Sequence, residues 1–133
     1  MSRSLIQVTN QSTQAVTANS IISLGSTQRR YGCNCRLSGN GIEIEGEGYY
    51  TVDADVSVAP TATGSVTVAL YNNGTQVQGA IAYGSVSTAG NPTTLSINAT
   101  LRQGCCSSAD NLTLVLLEGA GNVQNVSMRV VKE

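Results

Sequence analysis

Nine short runs of alternating apolar and polar residues, separated by clusters of Gly, Asn, Ser and Pro, make up most of this chain, and helical periodicity is nearly absent. A period of two is what a strand with one buried face requires. The runs at 5–9, 18–24, 41–45, 49–58, 65–72, 75–83, 94–101, 112–117 and 123–131 are predicted as strands. Nine such segments in 133 residues leave little room for helices, so the chain is predicted to be all-β.

Bookkeeping along the runs assigns faces. Tyr50, Val52, Ala54, Val56 and Val58 point one way, against Tyr49, Thr51, Asp53, Asp55 and Ser57. Val66, Val68 and Leu70 oppose Thr67, Ala69 and Tyr71, and Val77, Ile81 and Tyr83 are predicted to face the core opposite Gln76, Gln78 and Ala82. Asn72-Asn73-Gly74 between two runs supplies the positive φ angles of a tight hairpin. The run 112–117 is apolar almost throughout, which predicts cover on both faces, from a second copy of the chain or from a loop. Antiparallel strands with one wet face close a core as two packed sheets, so the expected fold is an antiparallel two-sheet jelly-roll sandwich.

Composition narrows the function. Seven basic and eight acidic residues give a formal net charge of −1, with no basic stripe to neutralise phosphates, so neither nucleic acid nor an anionic membrane is expected as a partner. Histidine, tryptophan and phenylalanine are absent, which removes the usual general base, the commonest metal ligand and the strongest stacking residues. No enzymatic activity and no cofactor are expected. The start of the chain lacks the apolar core of a secretory signal, which predicts synthesis in the cytoplasm. Residues 1–36 read as an N-terminal arm with the first strands, and residues 37–133 as the body of one domain.

The run Gly41-Ile42-Glu43-Ile44-Glu45-Gly46-Glu47-Gly48-Tyr49-Tyr50, followed by Leu70-Tyr71-Asn72-Asn73-Gly74, resembles the trimeric jelly rolls of the tumour-necrosis-factor and complement-globular-head superfamily. There a short amphipathic strand leads to a Gly-aromatic at the head of a long strand, and a later strand ends in Leu-x-x-Asn-Gly. The resemblance covers roughly residues 36 to 131. It implies a homotrimer, with Tyr49, Tyr71 and Leu117 as candidates for the buried interface. The low-charge surface, rich in Ser, Thr, Asn, Gln and Gly, is most similar to the bacteriophage and bacterial spore-surface members.

Two cysteine pairs, Cys33-Asn34-Cys35 and Cys105-Cys106, are the most unusual feature. Neighbouring cysteines rarely bridge each other, so cross-loop disulfides are expected, each adding about 4 kcal/mol by the chain-entropy estimate. Free structural thiols are the alternative. A four-thiolate zinc site would need pairs spaced by two to four residues, which neither pair has. Activation of a nucleophilic thiolate would rest on Arg29, Arg30 or Arg36, with no histidine to help. Glu43, Glu45, Asp53 and Asp55 are weak candidates for a hard cation, set against a solvated face that guards an edge, and no metal is expected.

These readings converge on a non-enzymatic structural protein of a bacteriophage virion surface, a capsid decoration or a fibre head, synthesised in the host cytoplasm. Its partners would be itself, a capsid or other virion protein, and a host-surface glycan. The alternative is a carbohydrate- or receptor-binding head domain of a bacterial surface or spore filament.

Overall fold

A computed structural model describes residues 4–104 and 110–132. The described chain runs β1 (Ser4–Asn10), β2 (Gln14–Val16), β3 (Ser20–Ile21), β4 (Ser26–Tyr31), β5 (Cys35–Ser38), β6 (Gly41–Ile44), β7 (Gly48–Pro60), β8 (Gly64–Asn72), β9 (Thr75–Val86), β10 (Thr93–Gln103), β11 (Asp110–Glu118) and β12 (Gly121–Lys132). Two antiparallel sheets form. Sheet A has the order β10-β7-β12-β1-β4, with β2 also on β12; sheet B has β5-β6-β11-β8-β9, with β3 also on β11. From β6 onward the chain changes sheet at every connection except the β8–β9 hairpin, which is the jelly-roll path. Among the described residues no helix is long and apolar enough to cross a membrane.

One core lies between the sheets. Tyr50, Val52 and Val56 of β7 are fully buried there, Ala54 and Val58 nearly so, together with Ile6 and Val8 of β1, Val66, Val68 and Leu70 of β8, and Leu112, Leu114 and Leu116 of β11. The predicted alternation of β7 therefore holds along its length. Apolar burial on this scale is the main term favouring the fold, at about 25 cal/mol for each Å² removed from water. Tyr50 carries its polar end inside with its hydrogen bonding met, because its single hydroxyl hydrogen is shared between the carbonyls of Glu45 at 2.9 Å and Gly46 at 2.8 Å.

The hairpin between β8 and β9 forms where Asn-Gly predicted it. Asn73 (φ +53°) and Gly74 (φ +83°) take the left-handed conformations that such a turn demands, and Asn72 pairs with Thr75. The Asn73 side chain then ties the turn to β11: its Oδ1 accepts from the Asn111 backbone N–H at 2.8 Å, and its Nδ2 donates to Asp110 at 2.8 Å.

Several sequence expectations need correction. The run at 18–24 is not one strand: only Ser20–Ile21 pairs in a ladder, as the chain crosses from sheet A to sheet B with Asn19 at positive φ. Ile22 and Leu24 are nevertheless fully buried, which is where the apolar signal came from. Strand β4, Ser-Thr-Gln-Arg-Arg-Tyr, was not predicted, since all six residues are exposed and pairing with β1 rather than apolar alternation holds it extended. On β9 the predicted faces are reversed beyond Gly79. Between the pairs Ala69↔Ile81 and Tyr71↔Gln76, two steps on β8 oppose five on β9, and this bulge, with Gly79 at φ +83°, rotates the rest of the strand. Ala80 and Ala82 consequently face the core, and Ile81 and Tyr83 face outward. The boundary at residue 36 falls inside β5, and β1 lies between β12 and β4, so the segment through Arg36 is built into the sandwich.

Candidate interaction surfaces

Antiparallel partners project to the same side, so the register identifies what each sheet shows to its surroundings. The outer face of sheet A carries the row Arg29–Gln7–Arg129–Asp53–Asn98, and beside it Ser26–Thr9–Ser127–Asp55–Ser96. These side chains bond to one another. Arg129 donates to Asp53 at 2.9 Å, Ser96 to Asp55 at 2.6 Å, and the amide of Asn98, with its nitrogen toward Asp53, donates to Oδ1. Two shallow polar depressions cross this face. One of about 500 Å³ is lined by residues including Gln7, Gln11, Gln28, Arg29 and Asn125; the other, of about 430 Å³, includes Asp53, Asp55, Asn98 and Arg129, and Gln7 and Ser127 line both.

Toward the end where β1 begins, the same face turns apolar. Tyr31, Leu5 and Val131 form a row, with Tyr49 one same-face step farther along β7. Tyr31 is 69% exposed and Tyr49 54%, and the Arg102 guanidinium sits 5.9 Å from the Tyr49 ring centroid, within cation–π range.

The outer face of sheet B is built differently. Ile21, Val115, Ala69 and Ile81 pair across β3, β11, β8 and β9 as one continuous aliphatic row. The adjacent row is Glu118–Thr67–Tyr83. The centre of the aliphatic row is already dry, with Ala69 fully buried and Val115 8% exposed, whereas Ile21 at its β3 end is 51% exposed and Tyr83 in the adjacent row 72%. The double-sided apolar run of β11 is thus partly covered from within the chain, by the neighbouring strands β3 and β8.

Among the interface candidates, Tyr49 lies on the outer face of sheet A, whereas Tyr71 and Leu117 lie on that of sheet B, so one chain does not gather the three into a single patch. The carboxylates are likewise separated. Glu43 is on β6, where Arg36 pairs with it; Glu45 follows the end of that strand in the turn to β7; Asp53 and Asp55 sit across the sandwich on sheet A. Among the described residues no three His, Cys, Asp or Glu side chains gather as a metal site.

The cysteines also divide. Cys33 is exposed and Cys35 buried, and both are free thiols; Cys105 and Cys106 lie outside the described residues. Burial pushes the Cys35 thiol up to about 11, a shift that nearby Arg30 and Lys132 only partly oppose. The Tyr50 hydroxyl, raised chiefly by burial and next by Cys35, reaches about 12. A thiol so strongly held in its protonated form is a poor nucleophile, so Cys35 serves as core.

No family model matches the chain, and no curated protein sequence is similar to it. Its backbone does have counterparts. Murine APRIL superimposes with a TM-score of 0.76 at 12% identity, covering 99% of this chain and 100% of that one. The globular domain of zebrafish complement 1qA gives 0.70 at 8%, covering 96% and 94%.

The fold is a tumour-necrosis-factor/complement-head-like jelly roll.

The vertex protein P5 of PRD1 shares this jelly roll, with a TM-score of 0.63 at 12% identity over 98% of this chain and 96% of that one. The likeness spans almost the whole chain, including β1 to β4, which the sequence resemblance from residue 36 onward did not reach. Sequence reasoning named Tyr49 and Tyr71 as outward-facing but did not gather the two apolar patches they border, which also hold Tyr31 on sheet A and Ile21 and Tyr83 on sheet B. The alternation of β8 held the signal for one of these patches, since Ala69 and Tyr71 fall on its nominally wet face.

Proposed function

We propose that this protein is a non-enzymatic structural head on the surface of a bacteriophage virion, a capsid decoration or fibre head, and that it assembles as a homotrimer. The observation that carries this reading is the likeness to the PRD1 vertex protein along nearly the full length of both chains. The residue chemistry supports it. Glu43, Asp53 and Asp55 are tied to arginine or serine partners, and the most perturbed groups, Cys35 and Tyr50, belong to the core. Tyr49, Tyr71 and Leu117 are the proposed interface residues, with a bridge from exposed Cys33 to Cys105 or Cys106 as a lock formed after release from a reducing cytoplasm.

Light scattering tests the assembly: a mass three times 13.7 kDa is expected, and a monomer at high concentration would overturn it. Immunogold labelling of phage particles made by a host carrying the gene tests the location, with label on intact virions expected and label confined to cell debris counting against it. Electrophoresis without reductant tests the lock.

A second reading, a carbohydrate- or receptor-binding head of a bacterial surface or spore filament, is favoured by one observation, the amide- and hydroxyl-lined depressions on sheet A. Binding to a glycan array that is lost in Gln28→Ala and Asn125→Ala would support it over the virion role.

A further inference from the structure

The two polar depressions on sheet A differ in what their side chains already do. Around the one of about 430 Å³ the polar groups are bonded to one another: Asp53 accepts from Arg129 and Asn98, and Asp55 from Ser96. Around the one of about 500 Å³, Gln7, Thr9, Gln28, Arg29, Asn125 and Ser127 make no side-chain hydrogen bond or ion pair with any described residue. Three neighbouring strands bring this uncommitted set together. Gln7 aligns with Arg29 and Thr9 with Ser127, while the bulge in β4 leaves Gln28 beside Arg29 without a partner on β1. The depression lies toward the end of β1, away from the row of Leu5, Tyr31 and Val131 and from Tyr49.

We infer that this larger depression binds an acidic sugar, with Arg29 holding its carboxylate and the amides and hydroxyls of Gln7, Gln28, Asn125 and Ser127 meeting its ring hydroxyls. The inference rests on the carbohydrate-binding reading above and narrows it to a uronic or sialic acid residue. A sugar hydroxyl both donates and accepts, and a primary amide answers it with a carbonyl oxygen and an NH2 group side by side. The lining is polar throughout, so a hydrophobic ligand finds no floor there. Arg29 adds a planar, permanently charged fork that matches a carboxylate in two parallel bonds. A dianionic phosphate fits less well, since no second cation lines the depression and Asp53 and Asp55 lie on the same face. A shallow site without an aromatic platform holds a single sugar weakly, and several copies displayed together supply the avidity.

Titration of the isotope-labelled protein with four probes tests it: methyl β-glucuronide, the methyl glycoside of N-acetylneuraminic acid, methyl β-glucoside and acetate. The readout is the set of backbone amide signals of Gln7, Thr9, Gln28, Arg29 and Asn125, whose unperturbed positions also show that each variant is folded. The glucuronide and the glucoside differ only in a carboxylate against a hydroxymethyl group. One or both acidic sugars should bind about tenfold or more tighter than the glucoside. In Arg29→Gln that advantage should vanish while the glucoside binds as before, and in Asn125→Ala all three sugars should weaken. If the glucoside binds as tightly as both acidic sugars, or Arg29→Gln leaves their advantage intact, the acidic preference is wrong and the carbohydrate reading stands. If acetate binds as tightly as the acidic sugars, the depression is a bare carboxylate site and the sugar assignment fails. If no sugar moves these signals at any soluble concentration, the inference and the reading beneath it both fall.

Discussion

The two outer faces of this sandwich are made by the same period-two rule and come out opposite in character. On sheet A the outward set of β7 is Thr51, Asp53, Asp55 and Ser57, matched by arginine, amide and hydroxyl partners on β10 and β12. On sheet B the outward set of β8 is Thr67, Ala69 and Tyr71, and its neighbours supply Val115, Ile21 and Ile81. Both β7 and β8 alternate, so alternation by itself does not make a face wet. What makes it wet or dry is which residues the neighbouring strands align beside it, and on sheet B they align aliphatic side chains that bury Ala69 completely.

The sharpest way to break this contrast is to place a charge on each face. Ala69→Asp would bury an unpaired carboxylate and is expected to cost about 3 kcal/mol, read as a lowered midpoint in urea, whereas Ser57→Asp on sheet A should change stability by less than about 0.5 kcal/mol. Equal effects would mean that sheet B is as open to water as sheet A.

The end of the sandwich near Cys35 and Tyr50 should show itself at high pH. Both groups bind their protons more tightly in the folded chain, so the unfolded chain ionises first and stability falls as pH rises. The fall should begin near pH 9 for the thiol and near 10 for the phenol, and be complete once the folded values of about 11 and about 12 are passed. Each group adds at most about 1.4 kcal/mol per pH unit to that slope. Denaturation curves of wild type and Cys35→Ala from pH 8 to 11 test this; the variant should lose the earlier part of the fall, and parallel curves would show that the thiol is not buried.

Gly79→Ala sharpens the comparison from the backbone side. A side chain at φ +83° is strained and should cost about 1 kcal/mol, while the same change at exposed Gln78 should be close to neutral. The smallest effect is expected from Arg129→Ala. An exposed ion pair contributes about 0.5 kcal/mol or less and fades with salt, so this variant should match wild type in 1 M sodium chloride.

Much of this architecture was legible in advance where local rules suffice. The long alternation of β7, the Asn73-Gly74 turn and the apolar run of β11 each named their element, because a buried face and a tight turn leave direct marks on residue type. Strand β4 left none: its polar, exposed residues are held only by backbone bonds to β1. The candidate sites were legible as residues but not as a constellation. Glu43 and Asp53 look close in sequence, yet a turn between them carries the chain into the other sheet.

The sequence by itself determined that the chain is all-β, which side of most strands faces the core, and which common catalytic groups it lacks, since alternation and composition are local properties. Only the tertiary structure decided that β9 reverses its faces at Gly79, that Tyr49 and Tyr71 stand on opposite sides, and that Ala69 lies in a dry row on an outer face. The reason is that a strand specifies two sides of itself, while the surface those sides join depends on partners drawn from distant parts of the chain.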